Sequence, residues 1–188
     1  MKITKKKYLQ YINPLELLRT KKILQNNPTV APSSTEQTFS VLTLFRYDES
    51  ECSIQRNIPG KEVLISLFEG NKNYWLNLDV LNAETVEEIG KNIGLHQLIV
   101  EDILSKNQRP KLDEIEGLFT CVLHMMYYND ETKGVESEQV SFVLGKNFLI
   151  SFQDDSIRDV FNPIREKLKK NASRLRMSGP DYLMYALI

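Results

Sequence analysis

Two adjacent carboxylates, Glu101 and Asp102, stand in the short apolar stretch LHQLIVEDIL at 95–104, and Arg109 and Lys111 follow them closely. A carboxylate drawn out of water must find a cation, find hydrogen-bond donors, or protonate. Turning a helix through about 100° per residue from Leu98 places Ile99, Ile103, Val100 and Leu104 along one apolar arc. Glu101 then falls in the polar gap, and Asp102 falls beside the buried arc between Leu98 and Ile99. Three partners suit Asp102: Arg109 or Lys111 of its own chain, a cation from a neighbouring subunit, or a hard divalent metal. Magnesium suits such oxygens, because it takes one or two carboxylates and retains several waters. Spacing alone leaves the three open.

Other chemistry finds little support. His96 opens a helix and His124 lies mid-strand, so both read as hydrogen-bonded structural residues. No Cys and His pair has zinc-site spacing, and the eight glycines are scattered rather than gathered into a phosphate loop. Asp154-Asp155 reads as a helix cap. The basic run from Arg158 to Arg176 reads as a solvated helix face, with an anion-binding face as the sharper alternative. No enzyme activity is expected. A net charge of −1 argues against a nucleic-acid binder. The hydrophobic fraction of 41% suits a globular domain, and Cys52 and Cys121 are too few for a disulfide framework. No apolar run reaches the ~18 residues of a membrane helix, and the basic N-terminus lacks a signal-peptide core.

The elements that would position these residues follow from periodicity. Residues 1–35 form a polar arm and linker, with one helix from Pro14 to about Gln25. Strands are expected over 39–47, 52–58 and 74–80, with Tyr74, Leu76 and Leu78 on one face and Trp75 on the other. Residues 60–70 fit either helix or strand. Asn82 or Thr85 caps a helix that Gly94 ends, and a second helix runs from His96 to about Lys106. A three-strand meander follows over 118–128, 135–144 and 148–153. A helix capped by Asp155 or Ser156 carries Ile157 and Val160, and Pro163 either kinks it or starts a fresh helix. Gly179-Pro180-Asp181 opens a last helix. Its apolar close YLMYALI reads as the start of a longer helix that continues past Ile188. Strands joined by both hairpins and helical crossovers imply an α/β fold, a three-layer α/β/α domain whose mixed sheet has parallel and antiparallel neighbours.

Four stretches together resemble the cytosolic N-terminal domain of the CorA family of divalent-cation transporters: WLNLDVLNAETVEEIGKNIGLHQLIVEDILSKNQRPKLDEIEGLF, ESEQVSFVLGKNFLISFQD, VFNPIREKLKKNASRLR and GPDYLMYALI. They occur in the family's order and spacing over Tyr74 to Ile188. Beyond the compositional arm and linker at 1–35, the resemblance implies a regulatory domain at 36–178 and, at 179–188, the start of a truncated helix. That helix would lead to an absent stalk and membrane region. It further implies a homopentamer embedded in the cell (inner) membrane, with this domain on the cytoplasmic side and no nucleic-acid partner. Mg2+ would be both regulatory and transported ion, with Co2+ or Ni2+ as alternatives. Asp102, assisted by Glu101, matches the family's regulatory metal ligands, whose remaining members lie beyond Ile188. The alternatives are a zinc transporter of the same superfamily and a free-standing cytosolic α/β binding module in which Asp102 pairs with Arg109 or Lys111.

Overall fold

The computed structural model describes residues 40–106, 108–154, 160–171 and 173–188, apart from the side chains of residues 66 and 67. The expected helix at 14–25 and the cap at Asp155 or Ser156 lie outside the described residues.

Among the described residues, runs of β-branched, aromatic and leucine side chains form seven strands: β1 (Val41–Tyr47), β2 (Cys52–Arg56), β3 (Asn73–Asp79), β4 (Lys111–Ile115), β5 (Leu118–Asn129), β6 (Gly134–Leu144) and β7 (Phe148–Gln153). They make one mixed sheet in the order β2-β1-β3-β7-β6-β5-β4. Every neighbouring pair is antiparallel except β3 and β7, which run parallel with Tyr74 beside Phe148 and Leu78 beside Phe152. Strands β3 and β7 are central and buried on both faces, which is why apolar side chains occur on both faces of each.

Helices cover both faces. Leu42, Leu44, Tyr74, Leu76, Leu78, Val143, Ile150 and Phe152 pack against α1 (Ala83–Ile93) and α2 (Gln97–Leu104). On the other face Phe45, Trp75, Phe142 and Leu149 pack against Phe161, α3 (Asn162–Lys169), α4 (Arg174–Met177) and α5 (Pro180–Leu187). Trp75 stacks on Phe45 with ring centroids 4.7 Å apart, and its indole N–H donates to Ser151 Oγ at 2.9 Å. Ser151 in turn donates to Asn77 Oδ1 at 2.6 Å, so the Trp75, Ser151 and Asn77 side chains form one buried chain of hydrogen bonds.

Local chemistry sets the boundaries. Asn82 caps α1 by accepting from the Thr85 N–H at 3.1 Å. Gly94 ends that helix in the left-handed region at φ 74°. Pro163 sits in the first turn of α3, so a fresh helix begins there rather than a kink. Four local expectations are corrected. The meander has a fourth member, β4, joined to β5 by a two-residue turn with Glu116 at φ 55° and Gly117 at φ 79°. Helix α2 stops at Leu104, where Ser105 turns extended, short of Lys106. The basic run is split, because α3 ends at Lys169 and α4 starts anew at Arg174. Residues 60–70 are neither expected element but two short 3-10 turns, Gly60–Glu62 and Ile65–Phe68.

Candidate functional site

Helix α2 carries both candidate acids. Ile99 and Ile103 are buried and hold the helix on the sheet, while Val100 and Leu104 are partly buried. Leu98 does not belong to that arc; it is 55% exposed, because burial centres on Ile99 and Ile103 and turns Leu98 outward. Glu101 is exposed and accepts a hydrogen bond from Gln97 Nε2 at 3.1 Å. The Asp102 side chain is 18% exposed and lies against Lys111 of β4, with Nζ 2.5 Å from Oδ2. Lys111 Nζ also lies 3.4 Å from Asp113 Oδ2. The hydrogen bond to the Asp102 carboxylate lifts the Lys111 pKa above its ordinary value.

The helix is fixed from below and from the side. Gln139, a buried amide on β6, donates from Nε2 to the backbone carbonyls of Asp102 at 3.1 Å and Ile103 at 3.4 Å. Those carbonyls belong to the last helical turn and lack intrahelical partners, so Gln139 ties this end of α2 to the sheet. Nothing in the spacing marked Gln139; the only trace is a long polar side chain at the edge of the apolar run VSFVL. From the side, α1 offers Gly90, where an added Cβ would stand 2.7 Å from Val100 Cγ2. Glycine there is what lets α2 approach α1. His96 caps α2, its Nδ1 accepting from the Leu98 N–H at 3.2 Å. His124 Nε2 lies 2.7 Å from the Gln108 carbonyl oxygen. Each histidine therefore has a structural contact.

Chemically, the arrangement is one mostly covered carboxylate held by one lysine, with a second, exposed carboxylate beside it. Among the described residues no cluster of three or more His, Cys, Asp or Glu side chains could hold a metal alone. Any ion at Asp102 would have to displace or tolerate Lys111 and draw further ligands from outside these residues or from water. Among the described residues, no helix is long and apolar enough to cross a membrane.

Residues 70–188 match the family described as CorA-like Mg2+ transporter protein. A curated relative, the cobalt/magnesium transport protein CorA of Thermotoga maritima, is 40% identical over 115 residues, covering 61% of this chain and 32% of the relative. The chain thus spans about a third of that relative's length. The fold is similar to the CorA magnesium transporter from Methanocaldococcus jannaschii at TM-score 0.54 and 15% identity, over 77% of this chain and 42% of that one. It is similar also to the full-length CmaX protein at TM-score 0.58 and 14% identity, over 82% of this chain and 47% of that one.

Proposed function

This chain belongs to the CorA family, and from that premise we propose that it is the metal-sensing regulatory domain of a magnesium and cobalt transporter. The observation that carries the reading is the family match across residues 70–188, which includes α2 and its acids. In this reading the whole protein is a homopentamer in the cell membrane, the domain faces the cytoplasm, and no catalytic role is assigned to it. Asp102, helped by Glu101, meets acids of the adjacent subunit. Two unit charges about 4 Å apart repel by roughly 4 kcal/mol at an effective dielectric of 20. A bound Mg2+ turns that repulsion into a bridge. High cytosolic Mg2+ then holds the seams together and the pore shut, and falling Mg2+ releases them. The ion shifts the population only as far as it binds the closed state more tightly than the open one.

The partly exposed position of Asp102 supports this reading, since a wholly buried acid would be out of a neighbour's reach. The Lys111 contact favours a second one: Asp102 is a structural partner that pins α2 to β4, and the domain binds no regulatory ion. Ion flux separates them. In a transporter carrying this domain, Asp102→Asn should blunt shutdown by Mg2+ while leaving expression intact. Undiminished Mg2+ inhibition in that variant sinks the metal reading and leaves the structural pair.

A further inference from the structure

Strand β7 pairs with β6 only from Val140 to Leu144, so Glu138 and Gln139 lie past its end. A cleft of about 300 Å³ opens there, bordered by Leu81 just after β3 and Asp154 just after β7. These two strands are the parallel pair. The space outside the carboxyl ends of parallel strands is where α/β sheets take ligands. The volume is at the lower end for a small-molecule site.

One group in the wall of the cleft is incomplete. Gln139 is 9% exposed, and its Nε2 is spent on the carbonyls of Asp102 and Ile103 at the end of α2. Its Oε1 is buried and accepts a hydrogen bond from no described residue. Buried acceptors in native folds are almost always met by a donor. The one cation of the lining does not meet it: Lys106 is turned to Asp154, with Nζ 3.1 Å from Oδ2. The amide oxygen therefore calls for a donor from outside the described residues.

The remaining walls define what that donor belongs to. Glu138 is 7% exposed and accepts from the Asp154 N–H at 3.0 Å. Two acids, Glu138 and Asp154, thus stand against one base, Lys106, and the lining carries an excess of negative charge. Leu81, Ile103 and the ring of Tyr127 supply apolar wall, the Tyr127 hydroxyl being directed to Glu136 at 3.0 Å. The fitting occupant has positive charge, N–H or O–H donors and a carbon portion. A hydrated metal ion has the first two but gains nothing from apolar walls. An ammonium group on a short carbon chain has all three, and it also suits an aromatic face.

We propose that this cleft binds a small primary amine in its ammonium form. An N–H donates to Gln139 Oε1, Glu138 and Asp154 balance the charge, and the carbon chain lies against Leu81, Ile103 and Tyr127. Gln139 grips the last turn of α2 through its other amide atom. Hydrogen bonds that share one amide reinforce each other, so an occupied cleft tightens the helix that carries Asp102. The site is separate from the Asp102–Lys111 contact and stands whether or not that acid holds a metal.

Titrating the isotope-labelled chain with n-butylammonium chloride in EDTA tests it by NMR. Tetramethylammonium chloride is the comparison, a cation of equal charge with no N–H to give. Butylammonium should produce saturable shifts at Ser105, Ser137 and the Gln139 side-chain amide, with a Kd of about 1–10 mM. Tetramethylammonium should bind at least about tenfold more weakly. The Ser105 amide donates to the Glu101 carbonyl at 2.9 Å, and its hydrogen exchange should slow when the amine is bound. Glu138→Gln keeps an acceptor for the Asp154 N–H but removes the charge; it should weaken binding about tenfold. Lys106→Met frees Asp154 and should tighten binding. Ser137→Trp fills the cleft from an exposed position and should block binding, which decides the matter even where Glu138→Gln fails to fold. The proposal is overturned if butylammonium gives no saturable shift up to about 50 mM, if tetramethylammonium binds equally well, or if folded Ser137→Trp binds like wild type. Saturable Mg2+ shifts at these same residues without EDTA, and none from butylammonium, also overturn it and give the cleft to a hydrated ion. Failure here leaves the Asp102 reading intact, because ion flux in Asp102→Asn tests that one separately.

Discussion

Lys111 occupies the atoms that a regulatory ion would need, and replacing it measures the competition. With Nζ 2.5 Å from Asp102 Oδ2, the lysine must swing away or share the carboxylate before a divalent cation can bind. The Asp102 side chain is 18% exposed and that of Lys111 35%, so water screens the pair substantially. Exposed pairs are worth about 0.2–1 kcal/mol. The upper end suits a contact this short on a mostly covered acid, so the competition costs about 1 kcal/mol, or a factor of about five in affinity. Lys111→Met keeps the aliphatic stem that packs along β4 and removes the charge. It should tighten Co2+ or Mg2+ binding to the chain about fivefold by titration calorimetry, while Asp102→Asn abolishes that gain. Stability against pH provides the internal control. Because Asp102 raises the Lys111 pKa in the folded state, the pair stabilises fully below the ordinary lysine value. That contribution is lost as pH climbs through the raised one. Wild type should therefore lose thermal stability across that alkaline window, and Lys111→Met should lose less. Divalent affinity that is equal in wild type, Lys111→Met and Asp102→Asn would refute the reasoning, since it would place the ion elsewhere.

Two further outcomes concern the scaffold. Gly90→Ala sets a methyl against Val100 Cγ2 at 2.7 Å; it should destabilise by about 1–3 kcal/mol in thermal melts despite alanine's better helix propensity. Pairing it with Val100→Ala should recover part of the loss, and a neutral Gly90→Ala would mean that α1 and α2 are not held this close. Ser151→Ala strips the partner from the Trp75 indole N–H and from Asn77 Oδ1; urea unfolding should show a cost of about 2 kcal/mol, and a change below about 0.5 kcal/mol would refute the buried chain.

How far these features could be read in advance depended on whether the cause was local. The caps at Asn82 and Gly94 and the proline at the head of α3 act within a single turn, so their residue types disclosed them. The alternation at 74–80 disclosed both the apolar face and the contrary position of Trp75, because period two is imposed by the pleat itself. Strand β4 was harder: Lys111–Ile115 has only two apolar residues, and its sign was the Glu116-Gly117 turn behind it. The wider setting of Asp102 was out of reach. Helical angles placed it beside the buried arc and named Lys111 as one possible partner. The choice between Lys111 and Arg109, and the grip of Gln139 on the helix end, depend on how β4 and β6 lie in three dimensions. The outward turn of Leu98 has the same origin, since the centre of an apolar arc is decided by what covers it.

The single parallel junction in the sheet has a consequence for how the chain finds its shape. On one side, β1 and β2 join β3; on the other, β4 to β7 pair in sequence through short turns. Each half can zip from neighbours, but the weld between them brings together residues such as Trp75 and Ser151, 76 positions apart. Closing a loop of that length costs about 4 kcal/mol in chain entropy before any contact repays it. Assembly of the domain therefore waits on one late encounter between two prefabricated pieces, with the bulk of the tryptophan layer as the reward for meeting.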